Sequence, residues 1–239
     1  MRHKTFPTPG PVSLDLRVAA GEIQVEAVAG AVETSIVLEP LGGENAVRAV
    51  EAARIECRNG SEVLVEVREE RRFGIVDDTP EVRLAVRCPE GSRLVAATAS
   101  ADIRTRGRLS ALEVETASGD VEADEVAGEV RAKAASGDVT VGAAGSSLAV
   151  QTASGDQRVD EVKSGRISLK SASGDLRVGV RRGAAVWVDA HSISGDTTSE
   201  LDLGDEPVDE DGPTVELKAT TMSGDVRIVR AGAAAEREP

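Results

Sequence analysis

Aromatic side chains are almost missing from this sequence: Phe6, Phe73 and Trp187 are all it has in 239 residues, and Tyr is absent. That excludes a core built round bulky rings. It also argues against the aromatic platforms on which sugars and single-stranded nucleic acids usually stack. Cysteine is nearly as scarce. Cys57 and Cys88 share no metal-ligand spacing and read as small, semi-buried residues, a pair only if the protein were exported. Long apolar runs are missing too, and nothing approaches the roughly 18 residues of a membrane helix. The start, MRHKTFPTPGPV, has neither an apolar stretch nor a cleavage pattern, so the expected chain is soluble and cytoplasmic, with no direct membrane insertion. Positive charge is in deficit: 28 Lys and Arg against 42 Asp and Glu give a net charge of −14. Such a chain repels nucleic-acid phosphates and anionic lipid. The local basic runs, at Arg104, Arg106 and Arg108 and at Arg181-Arg182, lie near acidic residues and read as solvated strand faces.

What is present is Val, Ala, Leu, Ile, Gly and a repeat. Rows begin TASADIRTR at Thr98, TASGDVEAD at Thr116, AASGDVTVG at Ala134, TASGDQRVD at Thr152, SASGDLRVG at Ser171, SISGDTTSE at Ser192 and TMSGDVRIV at Thr221. Their aspartates, Asp102, Asp120, Asp138, Asp156, Asp175, Asp196 and Asp225, are spaced 18, 18, 18, 19, 21 and 29 residues apart. A fixed period with growing spacings predicts a repeat array with loops added near one end. Between corners the apolar residues alternate, as at Val139 and Val141, Leu148 and Val150, and Leu176 and Val178, so each row holds two short strands. Gly119, Gly137, Gly155, Gly174, Gly195 and Gly224 supply the positive φ of a tight corner, and the Asp after each hydrogen-bonds backbone freed by the bend. The residue before each Ser (Ala117, Ala135, Ala153, Ala172, Ile193, Met222) is apolar and is expected to point into the core.

The fold class is therefore all-β. The simplest form is a β-solenoid of about seven 18-residue rows, spanning on the order of 30 Å at strand spacing. An antiparallel meander with the corners along one edge is the competitor. Residues 1–90 read as an irregular N-terminal β-sheet cap, 91–230 as the repeat region and 231–239 as a disordered tail. Strands are expected over 12–18, 22–28, 32–38, 54–58, 62–67 and 81–87, with one short helix over 44–53. Gly21-Glu22-Ile23 and Ser100-Ala101-Asp102 look like worn copies of the same corner.

The TASGDV rows, led in by CPEGSRLVAATASADI, resemble the bacterial "putative adhesin" family of β-strand repeat proteins, a domain of unknown function. The resemblance runs from about Pro11 to Arg230. The Ala/Val-rich cast looks like the actinobacterial branch. It implies repeat architecture and offers no catalytic motif.

Chemistry is sparse. Stacked aspartates would suggest a cation ladder, but one Gly and one Asp per corner give too few oxygens for the six to eight that calcium prefers, so neither a metal site nor a cofactor is expected. A Ser-His-Asp set at Asp189, His191 and Ser192 would be neighbours on one strand, not groups converging on a cleft, and no enzyme is expected. The best candidates for binding lie where the repeat breaks: the acidic insertion with Glu200, Asp202, Asp205, Glu206, Asp209, Glu210 and Asp211, and Trp187. Trp187 projects opposite to Val186 and Val188, either outward as a contact residue or tucked under the insertion. The reading is a non-enzymatic β-repeat scaffold for protein–protein interaction or self-association, of unknown partner. The alternative is a cation- or glycan-binding adhesin module.

Overall fold

Alternation of apolar and polar residues sets each strand's two faces. In Leu148–Ser154, Leu148, Val150 and Thr152 are buried while the residues between them reach the surface. The computed structural model describes residues 1–67, 79–201 and 214–232. In chain order these residues form β1 (Arg2–Pro7), β2 (Ser13–Val28), β3 (Glu33–Pro40), α1 (Glu44–Ala52), β4 (Arg54–Arg58), β5 (Glu62–Glu66), β6 (Glu81–Pro89) and β7 (Arg93–Leu109). There follow β8 (Ala111–Ser118), β9 (Val121–Val126), β10 (Val130–Ser136), β11 (Val139–Ala144), β12 (Leu148–Ser154), β13 (Gln157–Val162), β14 (Gly165–Ser173) and β15 (Leu176–Val180). The last are β16 (Ala185–Ser194), β17 (Thr197–Ser199), β18 (Thr214–Ser223) and β19 (Val226–Arg230).

The repeat folds as a parallel solenoid. Val130 of β10 pairs with Leu112 of β8 on one side and Leu148 of β12 on the other, while Val139 of β11 lies between Val121 and Gln157. Parallel pairing one period apart rules out the meander, whose neighbouring strands would run antiparallel. Each coil is two strands and two turns, and its inward residues form columns. Leu94, Leu112, Leu148, Ile167 and Leu217 fill one, and Ile103, Val121, Val139, Leu176 and Val226 another, all buried. Each fully buried Val, Leu or Ile side chain contributes about 1.5–3 kcal/mol.

Before the regular repeat, β2 is already one whole coil beside β7, pairing Leu14 with Leu94 and Ile23 with Ile103. β5 and β6 form the coil on its other side. Antiparallel strands then cover that end: β4 on β5, β3 on β6 and β1 on β3. Helix α1, which buries Ala46, Ala49 and Val50, is tied to β1 by the Arg2 guanidinium, which donates to the Val50 and Glu51 carbonyls at 3.0 Å.

Two expectations are corrected. The growing spacings are not simply loops added to an ordered array, because the last two rows exchange places. β18 and β19 pack directly on β14 and β15, with Ile167 opposite Leu217 and Leu176 opposite Val226. β16 and β17, earlier in sequence, pair outside them as the final coil, with Val188 opposite Leu217 and Thr197 opposite Val226. The chain steps past one coil position within the 21-residue spacing from Asp175 to Asp196 and returns to fill it within the 29-residue spacing to Asp225. Second, Ala117, Ala135, Ala153, Ala172, Ile193 and Met222 face solvent. Alternation from Val114 puts Thr116 inward and Ala117 out, and the inward corner positions are Thr116, Ala134, Thr152, Ser171 and Thr221. A hydroxyl there caps the bend: Thr116, Ser171 and Thr221 donate to the carbonyls of Ser118, Ser173 and Ser223 at 2.9, 3.0 and 3.1 Å.

Candidate functional site

Each corner is joined to its neighbours by a continuous backbone ladder. The N–H of Asp120 donates to Oδ1 of Asp102 at 3.1 Å, Asp138 to Asp120 at 2.9 Å, and Asp156 to Asp138, Asp175 to Asp156, Asp225 to Asp175 and Asp196 to Asp225 at 2.8 Å. In the other direction, the N–H of the residue after each inner Asp donates to the Asp carbonyl of the next coil, as Val139 does to Asp156 at 2.9 Å and Leu176 to Asp225 at 2.8 Å. One Oδ1 at every corner but that of Asp196 is thereby spent on backbone. The glycines must be glycines. Gly137 has φ +121, and a Cβ there would run into the carbonyl of Gly119 one coil away. The worn copies belong to the same column, since Gly21, at φ +116, pairs with Ala101, and Ala101 stacks under Gly119.

The ladder ends at the β16–β17 coil. There the inward positions change character. Where the coil beneath has Val226 and Ile228, β17 has Thr197 and Ser199, both exposed and hydrophilic. β16 keeps the apolar pattern: Val188 and Ala190 continue the columns of Leu217 and Ala219. Lacking a coil above, Val188 is 37% exposed, and on the outer face Trp187 is 57% and Ile193 67% exposed. Ile193 also ends an outer ridge whose next member is Met222, 58% exposed, and then Ala172. Among the described residues nothing covers this edge, in contrast to the strands and helix at the other end.

The sequence matches the family described as Toastrack DUF4097 over residues 10–229. The chain belongs to that family. No curated protein matches it. Among solved structures it is similar to a "putative adhesin" from Bacteroides fragilis, at 12% identity over 95% of this chain and 96% of that one, with a TM-score of 0.47. A "putative adhesin" from Parabacteroides distasonis is similar at 9% identity, 95% and 96% coverage and a TM-score of 0.48. A "putative cell adhesion protein" from Clostridium sporogenes is similar at 9% identity, 96% and 99% coverage and a TM-score of 0.44.

In this Toastrack chain Trp187 stands on the outer face of β16, and Glu200 is exposed just beyond β17. Asp202, Asp205, Glu206, Asp209, Glu210 and Asp211 lie outside the described residues, as do Phe73 and residues 233–239 of the tail. Asp189, His191 and Ser192 do not assemble: Asp189 faces Lys218 at 3.3 Å, and Ser192 donates to the Gly224 carbonyl at 2.8 Å. Among the described residues no three His, Cys, Asp or Glu side chains form a metal cluster, and no helix is long and apolar enough to cross a membrane. The basic runs are partly matched by acids one coil away, Arg104 with Glu122 at 3.5 Å, Arg108 with Glu125 at 3.9 Å and Arg181 with Glu161 at 3.9 Å. A groove of about 610 Å³ lined by Arg87, Arg104, Arg106, Glu26 and Glu122 is mixed-charge for the same reason. Hydrogen bonding from Lys163, at 2.8 Å, holds the Glu125 carboxyl below the usual range, with a smaller contribution from Arg108; Arg83 does the same to Glu22. Both cysteines are free, and burial pushes the Cys88 thiol up.

What sequence reading missed is the edge itself. Trp187 was visible, but the exposure of Val188 follows from row order. The one signal was the pair Thr197 and Ser199, hydroxyls at positions that are mainly apolar in other rows.

Proposed function

We propose that this chain is a non-enzymatic scaffold for protein–protein interaction or self-association, and that it engages through the β16 end of its stack. The observation that carries the reading is the asymmetry between the ends. One end is covered by antiparallel strands and a helix. At the other, none of the described residues covers a ten-residue strand with exposed Trp187, Val188 and Ile193. Natural sheets normally blunt such an edge with Lys, Pro or a covering element, and β16, AVWVDAHSIS, contains neither residue. The corner carboxylates serve the backbone ladder, which leaves the cation-binding alternative without a supporting observation.

The test compares the parent with a Val188→Lys, Ile193→Lys variant, which places charge on the edge. The reading expects the parent to form either a concentration-dependent oligomer or a cross-linked complex with a protein from native extract, and the variant to lose whichever forms. A monomeric parent with no such complex, or a variant equal to the parent in both, would overturn it.

A further inference from the structure

The open end has a donor pattern, a shape and a charge, and together they select one kind of occupant. Inward-facing residues pass their N–H to the coil beyond: Leu112 to the Glu129 carbonyl and Val130 to Ser147 at 3.0 Å, and Val226 to Asp196 at 2.9 Å. By the same repeat, Val186, Val188, Ala190 and Thr197 direct theirs away from the stack, where none of the described residues accepts them. Beside them, Oδ1 of Asp196 stands where every inner corner receives an N–H. A strand laid on this edge would continue both ladders.

The side chains of that strand are constrained by its two faces. Inward, it would extend the column that runs through Leu217 and Val188, which calls for small apolar residues. Outward, it would lie beside Trp187 and Asp189. A cation there gains from the indole face and shares the Asp189 carboxylate with Lys218, 3.3 Å from it. The wider charge agrees. Glu200 and Asp196 are exposed at this end, and the net charge is −14. A second copy joined edge to edge would bring these like charges together.

We infer that the β16–β17 edge accepts an extended basic segment of a partner protein, alternating small apolar residues with Lys or Arg, as an added strand. This rests on the interaction reading above and narrows it to one partner chemistry.

The test uses the whole chain and Trp187, its only Trp, as the reporter. The probe is a capped peptide of about ten residues, matched to β16, alternating Val and Lys. Binding should shift Trp187 emission, weaken about tenfold or more on raising salt from low to about physiological strength, and protect the β16 amides from hydrogen exchange. The same peptide N-methylated at alternate amides keeps its charge and loses its strand donors, and should bind at least about tenfold more weakly. Val188→Pro should weaken binding similarly; the methylated peptide gives the same comparison on unaltered protein should that variant misfold. Equal binding of both peptides would overturn the inference, since charge alone would explain it. Equal binding of a Val–Glu peptide would overturn the basic partner and leave the edge reading standing. No peptide binding with a concentration-dependent dimer would put a second copy there and overturn the inference alone. No binding and no association would overturn the inference and, if the extract cross-linking also fails, the reading beneath it.

Discussion

Oδ1 of Asp225 accepts the backbone N–H of Asp196 at 2.8 Å, although Asp225 follows Asp196 by 29 residues. The later aspartate lies inside the earlier one, between it and Asp175. This makes the two aspartates unequal. Asp225→Ala removes an acceptor from a closed ladder and should cost about 1 kcal/mol. Asp196→Ala should cost close to nothing, because none of the described residues donates to its carboxylate. Denaturant unfolding of the two variants checks this; sequence order alone would reverse the ranking.

The corner glycines should divide just as sharply. Gly155 has φ +129, and a Cβ would enter the Gly137 carbonyl. Gly155→Ala should cost about 3 kcal/mol or more. Gly183, at φ +78, has open space around it, and Gly183→Ala should cost about 1–2 kcal/mol from backbone conformation alone. Thermal unfolding midpoints should fall in that order.

A substitution in the core should stabilise. Thr105 is buried with its hydroxyl unpartnered, between Val25 and Ala123 in a column that continues through Val141, Val159 and Val178. Thr105→Val keeps the shape and removes the orphan group. A gain of about 1 kcal/mol is expected by denaturant titration; a loss would show that the hydroxyl has a partner, such as a buried water.

Much of this fold could be read from period and alternation. The 18-residue spacing gave coils, alternation between corners gave two strands per row, and β3 to β6 and the helix over 44–53 were found within a few residues, while β1 was not expected and β2 is one continuous strand where two were expected. The corner column extends back to Gly21, as the worn copies suggested. What escaped was anything that depends on which coil lies next to which. Rows 185–199 and 214–230 have nearly interchangeable patterns, so nothing local distinguishes the end coil from the one beneath it, apart from the hydroxyls at Thr197 and Ser199. The inward role of Thr116 and its equivalents was also hidden. A hydroxyl bonded to a corner carbonyl is buried at little cost, so polarity misled at that position while the small apolar Ala117 drew attention. The candidate site was legible only as Trp187 and its surroundings.

Acid should loosen the outer face. Glu125 and Glu22 are held below the ordinary Glu value of 4.5 by Lys163 and Arg83. A carboxylate whose value is lowered on folding stabilises at and above its unfolded value, and that contribution is lost as pH falls through the lowered one. Both are substantially exposed, so the effect is modest. Unfolding midpoints measured from neutral pH to below 4.5 should fall less steeply for Glu125→Gln than for the parent. Parallel curves would show that the Lys163 contact contributes nothing in solution.

The central claim is that β16 is the open end and β18 lies beneath it. Amide hydrogen exchange of the free chain tests this most directly. Val215, Leu217 and Ala219 of β18, paired on both sides, should exchange slowly, and Val186, Val188 and Ala190 of β16 should exchange far faster. Slow exchange along β16 with fast exchange along β18 would contradict the exchanged row order and remove the edge on which the proposed interaction depends.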